Sequence, residues 1–122
     1  MYRYFNPNPL GKETSDCVVR AICAVTGKPW NEVYLGLMQT GFELKEMPSS
    51  NSLWREYLHR LGFVRTAIPD TCPDCYTVRD FCKDHQQGRF VLATGTHAIG
   101  VVDGDYFDTW DSGNKTPIFF WR

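Results

Sequence analysis

The dipeptide Asp103-Gly104, set between two apolar runs, constrains this chain more than any other pair of residues. Asp-Gly is a strong signal for a two-residue type I′ turn, whose twist matches that of the strands on either side. The turn therefore predicts a hairpin and also its register. Val102 pairs with Asp105, Ile99 with Asp108, and His97 with Trp110. Residues two apart share a face of a strand. His97, Ile99 and Val101 should thus lie on the same side as Tyr106, Asp108 and Trp110. Asp108 becomes the diagonal neighbour of His97, within reach of a hydrogen bond from imidazole to carboxylate. Asp111 falls on the opposite face, and a slip of one residue would exchange the two acids.

Before the hairpin the apolar period is helical, and from Arg89 onward it is strand-like. The spacing predicts helices over 16–25, 31–39, 52–61 and 77–84. Gly27, Gly41 and Gly88 stand as stops, and Pro48-Ser49-Ser50-Asn51 as a capping loop. In the third helix Leu53, Trp54, Tyr57, Leu58 and Leu61 form one face. Strands are expected over 89–93, 97–102, 105–110 and 117–121, with 63–68 as a further edge strand. The two Asn-Pro pairs before Leu10 keep the first stretch extended. Helices first and strands afterwards give an α+β domain, with N-terminal helices packed on a C-terminal antiparallel sheet. No linker or repeat divides residues 1–122, and a chain of this length forms a single domain with a core that needs no disulfide.

Composition excludes several function classes. Thirteen basic residues against fourteen acidic ones give a formal net charge of −1, and the basic residues are scattered. Nothing here is built for nucleic acid or an anionic membrane. No apolar run approaches a membrane span, and Met1-Tyr2-Arg3-Tyr4-Phe5 lacks the apolar core of a signal peptide. Five cysteines, an odd number, without a secretion signal point to a reducing, cytoplasmic setting. Cys72-Pro73-Asp74-Cys75 and Cys82-Lys83-Asp84-His85 contain the four donors that tetrahedral zinc requires. Only six residues separate the pairs, far fewer than in usual zinc modules. The expectation is an incidental pair of cysteines in a loop entering a helix, with no metal and no cofactor.

Cys17 differs from the other four. In Thr14-Ser15-Asp16-Cys17-Val18-Val19-Arg20 a run of capping residues meets an apolar helical pattern, which puts the thiol at a helix N-terminus. Unpaired N–H groups and the helix dipole there favour negative charge, and the thiolate is the nucleophilic form of cysteine. A helix-start thiol, a strand histidine (His97) and a same-face acid (Asp108) then follow in that order.

That order, and two segments in particular, carry a resemblance. His97-Ala98-Ile99-Gly100-Val101-Val102-Asp103-Gly104 resembles the histidine strand of papain-like cysteine peptidases. Asp108-Thr109-Trp110 is similar to their Asn-Ser-Trp element, whose first residue orients the histidine and whose tryptophan shields that bond. The segment from Asn8 to Ile22 is also similar to the start of small papain-fold proteins of bacteria and phages. The resemblance implies a papain-like fold and a thiol-dependent hydrolase acting on a peptide or protein substrate, or an acyltransferase or non-catalytic binding module on the same fold. It implies Cys17 as nucleophile, His97 as general base and acid, and Asp108 as orienter. Two features depart from the family. No glutamine precedes Cys17 to complete an oxyanion hole, for which Asn8 is the candidate, with Asn6, Lys12 and Thr14 as competitors. The chain is also much shorter than a typical papain, so one lobe of the cleft must be reduced.

Three further residues have simpler readings. Arg20, one turn after Cys17, should form a structural ion pair with Asp108 or Asp111, or meet a substrate carboxylate. Cys23 belongs to the core, and His59 to the solvated side of the third helix.

Overall fold

A computed structural model describes residues 1–48 and 50–122. The Ser49 part of the expected capping loop lies outside the described residues. In chain order the elements are β1 (Tyr2–Tyr4), α1 (Cys17–Thr26), α2 (Trp30–Leu44), α3 (Asn51–Arg60), β2 (Arg65–Ala67), α4 (Val78–Asp84), β3 (Arg89–Ala93), β4 (Ala98–Val102), β5 (Asp105–Asp108) and β6 (Phe119–Trp121). The domain is α+β. Six strands form one sheet in the order β1-β5-β4-β3-β6-β2, with β2 at one edge.

The sheet is mixed, which corrects the expectation of a purely antiparallel one. Residues 2–4 pair with β5 in parallel, Tyr2 opposite Tyr106 and Tyr4 opposite Asp108. Three residues are too few to show a period, so only the extended conformation was legible in the sequence. The pairing is fixed at its end by the N-terminal ammonium group, which donates to the Gly104 carbonyl at 3.0 Å and lies 3.3 Å from Asp105.

A second correction concerns the layers. Helices cover both faces of the sheet. On one side α1, α2 and α3 pack through Val19, Ile22, Val33, Leu53 and Leu58 onto Val91, Ala93, Ala98 and Trp121. On the other, α4 packs through Val78, Phe81 and Cys82 onto Phe90, Leu92, Ile99, Val101 and Tyr106. Successive residues of β3 and β4 thus enter different cores, which is why both strands read as continuous apolar runs. Helix α4 starts with a full capping box, Thr77 accepting from Asp80 N–H and Asp80 accepting from Thr77 N–H. Helix α2 runs on to Leu44, past the stop expected at Gly41. Gly41 is instead where the helix touches α3, since a side chain there would meet Leu53 at 2.5 Å.

A tight turn and a close helix–strand contact fix the geometry of the hairpin. Asp103 and Gly104 both take positive φ, 48° and 82°, as a type I′ turn requires. The resulting register places Val102 opposite Asp105, Val101 opposite Tyr106 and Gly100 opposite Phe107. The ladder is shorter than expected, because β5 stops at Asp108 and β4 starts at Ala98. Gly100 sits directly beneath α1, where a Cβ would meet the Ala21 carbonyl oxygen at 2.9 Å and Ala24 Cβ at 2.8 Å. This close approach sets the distance between the start of α1 and the start of β4.

Among the described residues no helix is long and apolar enough to cross a membrane.

Candidate active site

Cys17 is the first residue of α1 and half-buried. Asp16 occupies the N-cap position, yet its side chain makes no capping bond. It turns inward instead, accepting from Arg20 Nη1 at 2.6 Å and from Trp30 Nε1 at 2.9 Å. The first N–H groups of α1 are thus left without a side-chain cap, on the side where the thiol stands.

His97 precedes β4 and is held by a tight loop. Its N–H donates to Thr94 Oγ1 at 3.0 Å and its carbonyl accepts from Thr94 N–H at 2.8 Å. Because the ring leaves the chain before the strand begins, strand alternation does not bind it to the α4 side with Ile99 and Val101. It reaches Cys17 on the α1 side. The ring and the Ala98 N–H both lie close enough to the Cys17 thiol to favour its ionisation. Through Nε2 the ring contacts Asp108 Oδ2 at 2.6 Å. With Nε2 so engaged, Nδ1 is the nitrogen left for the thiol. Trp110 lies against the ring, centroids 4.9 Å apart and planes tilted by 34°.

Asp108 is fully buried. Four donors saturate it. Oδ1 accepts from Arg20 Nη2 at 3.0 Å and from Thr109 N–H at 2.8 Å. Oδ2 accepts from His97 and from Ser112 Oγ at 2.7 Å. Asp111 is elsewhere, bonded to Tyr106 and, at 2.9 Å, to Arg79 of α4. Arg20, only 3% exposed, bridges Asp16 and Asp108, and Asp111 is not among its partners.

The electrostatics of the three groups are coupled. Burial raises the Cys17 thiol, but the hydrogen bonds from His97 and the Ala98 N–H, with the charges of His97 and Arg20, outweigh it and leave the pKa below its ordinary value. Burial pulls His97 down, while its bonds to Asp108 and Cys17 prevail and raise it to about 9. For Asp108 burial works upward, and the bonds from His97 and Ser112 win, so its pKa is lowered. Cys23 and Cys82 have no such partners, and burial pushes each up to about 11. The arrangement thus favours the charged form of both partners, shifting Cys17 towards the thiolate and His97 towards the imidazolium.

Cys17 and His97 open onto a cleft of about 1020 Å³. Its walls come from the 8–16 loop, α2, α3, the 93–97 loop and β6. Asn8 lines it, as do Lys12 and Thr14, whereas Asn6 does not. Asn8 Oδ1 accepts from Leu10 N–H at 2.9 Å, and Asn6 donates its amide to the Lys12 carbonyl at 3.2 Å. Among the described residues Asn8 Nδ2 donates to no protein acceptor, so it remains available to a bound group.

The remaining cysteines are apart from this site. Cys72 and Cys75 form a disulfide, which corrects the expectation of free thiols. Thr71 Oγ1 folds their loop by donating to the Asp74 carbonyl and accepting from Tyr76 N–H, both at 2.9 Å. Cys82 is buried in the α4 core, and His85 stacks on Phe81 at 3.8 Å. Among the described residues no group of three or more His, Cys, Asp or Glu gathers as a metal site would require. His59 is solvent-exposed beside Glu56.

Three residues of the site went unrecognised in the sequence. Ser112 sits in a stretch, Asp111-Ser112-Gly113-Asn114, that reads as an ordinary turn. Asp16 reads as a cap, and Trp30 as the residue before a helix. Only Arg20, a charge at an otherwise apolar position of α1, gave a local signal. Comparison of the chain with protein-family models, curated proteins and solved structures finds no match.

Proposed function

We propose that this chain is a papain-like cysteine hydrolase that cleaves an amide or isopeptide bond through an acyl-enzyme on Cys17. The observation that carries the reading is the series of a Cys17 thiol beside His97 and a His97 ring bonded to Asp108, with the first two opening onto a cleft and the third buried. The Cys17 thiolate attacks the carbonyl carbon of the substrate. The oxygen of the tetrahedral intermediate is stabilised by the Cys17 N–H and Asn8 Nδ2. His97 delivers its proton to the leaving amine as the C–N bond breaks. Water then attacks the thioester, giving its proton to His97, and the carboxylic acid and the Cys17 thiolate are released. Asp108 remains ionised throughout and holds the ring so that Nδ1 faces the sulfur.

The reading is tested by alkylation with iodoacetamide at mildly acidic pH, followed by mass mapping. Cys17 should react faster than Cys23 or Cys82, and His97→Ala should slow it at least tenfold. Equal rates at the three thiols, indifferent to His97, would remove Cys17 as nucleophile.

A further inference from the structure

The cleft beside Cys17 has a charge pattern that the hydrolytic reading leaves unused. Three residues with charged side chains line it apart from the reacting pair, namely Lys12, Asp16 and Arg55. Asp16 is buried and already bonded to Arg20 and Trp30, so it presents no free negative charge. Lys12 and Arg55 are exposed, on the N-terminal loop and on α3, and among the described residues neither forms an ion pair or a side-chain hydrogen bond. In the same cleft α2 supplies an aromatic wall. Trp30 and Tyr34 are stacked, centroids 4.8 Å apart and planes 11° from parallel, and the Trp30 indole is held in place by Asp16. The cleft therefore combines an anchored apolar surface with two cations that have no ion-pair partner among the described residues.

We propose that this cleft takes an acyl donor carrying a carboxylate close to a large apolar side chain, the apolar group seated on Trp30 and Tyr34 and the carboxylate facing Lys12 and Arg55. The inference rests on Cys17 being the nucleophile, and it adds the substrate class. A stacked, anchored aromatic pair gives contact area at low entropic cost. Exposed cations add attraction that is modest per contact and weakened by salt. The carboxylate is either an acidic side chain or a peptide C-terminus, since both present the same group.

Peptidyl electrophiles that alkylate Cys17 test this without turnover. Acetyl-Asp-Phe, acetyl-Lys-Phe and acetyl-Asp-Ala chloromethyl ketones probe the side-chain source. An epoxysuccinyl-leucine probe with a free C-terminal carboxylate, compared with its amide, probes the terminal source. Rates are expressed relative to iodoacetamide with the same protein. The acidic Phe probe, or the free-acid epoxide, should react roughly five- to twentyfold faster than its basic or amidated counterpart at low salt. That preference should shrink in 0.5 M NaCl and reverse in Lys12→Glu/Arg55→Glu. Replacing Phe by Ala, or Trp30 by Ala, should slow the acidic probe. Selective iodoacetamide labelling of Cys17 with no preference for the acid in either series would overturn the substrate class and leave the nucleophile standing. Unselective iodoacetamide labelling would overturn both.

Discussion

Arg20 and Asp108 lie 88 residues apart in the chain and 3.0 Å apart in space, and both are buried. The same guanidinium holds Asp16, the residue next to the thiol, at 2.6 Å. Arg20 thus connects the start of α1 to the carboxylate that holds His97, and so fixes the thiol relative to the ring.

Removing one partner of a buried ion pair leaves an uncompensated charge, at a cost of about 3–5 kcal/mol. Arg20→Met strands two carboxylates, and it should fall in that range or above by urea denaturation. Arg20→Lys keeps the charge but lacks the planar fork that reaches both acids. It should recover part of the stability while Cys17 alkylation stays slow. Full recovery of both by lysine would reduce Arg20 to a charge without a geometric role.

The two candidate acids of the hairpin are also separable. Asp108→Asn keeps the shape but removes the charge facing His97 and Arg20. It should lower hydrolytic or alkylation rate by roughly 10²- to 10⁴-fold, the range of general acid–base contributions. Asp108→Ala should in addition destabilise, because Arg20 loses a buried partner. Asp111→Ala disturbs an exposed contact with Arg79 and bonds from Tyr106 and the Gly113 N–H, none of them to Cys17 or His97, and its effect on the rate should stay within about twofold, by the modest worth of exposed ion pairs. A larger rate effect at Asp111 than at Asp108 would reverse the assignment.

The hairpin register could be read from Asp103-Gly104 because a type I′ turn allows one pairing. That rule held for the three pairs from Val102–Asp105 to Gly100–Phe107, but it does not reach His97, which meets Asp108 from the loop before β4 and not from the face of Ile99 and Val101. The bonds around Asp108 obey no such rule. Arg20, Ser112 and Thr109 converge on it from a helix, a loop and the next peptide unit, and no local pattern encodes that meeting. The same limit hid the parallel strand β1, whose partner lies a hundred residues on.

Gly100 tests whether the α1–β4 distance matters to the site. An added Cβ overlaps backbone as well as side chain, at 2.9 and 2.8 Å, so α1 must move. Gly100→Ala should cost about 1–3 kcal/mol, as overpacking does. It should also slow Cys17 alkylation, since misplacement by an ångström costs up to about 10²-fold. Normal alkylation in a destabilised variant would show that the site tolerates the shift.

The opposed pKa shifts of Cys17 and His97 leave a signature in stability against pH. Taken alone, the raised pKa of His97 stabilises fully below its ordinary 6.5, and that contribution is lost as pH rises through about 9. The lowered pKa of Cys17 acts the other way, stabilising fully above its ordinary 9.0 and losing that as pH falls. Where the two shifts overlap they act in opposite senses, so the pair's net contribution changes less with pH than that of His97 alone. In Cys17→Ala the opposing share of the thiol is gone, while Asp108 still raises the His97 pKa. The variant should therefore lose stability more steeply than the parent as pH rises above 6.5. Thermal midpoints of the two, measured side by side from pH 5.5 to 9.5, should diverge in favour of the parent as pH rises. A difference independent of pH would mean that Cys17 and His97 are neutral in the resting protein, with the proton still on sulfur.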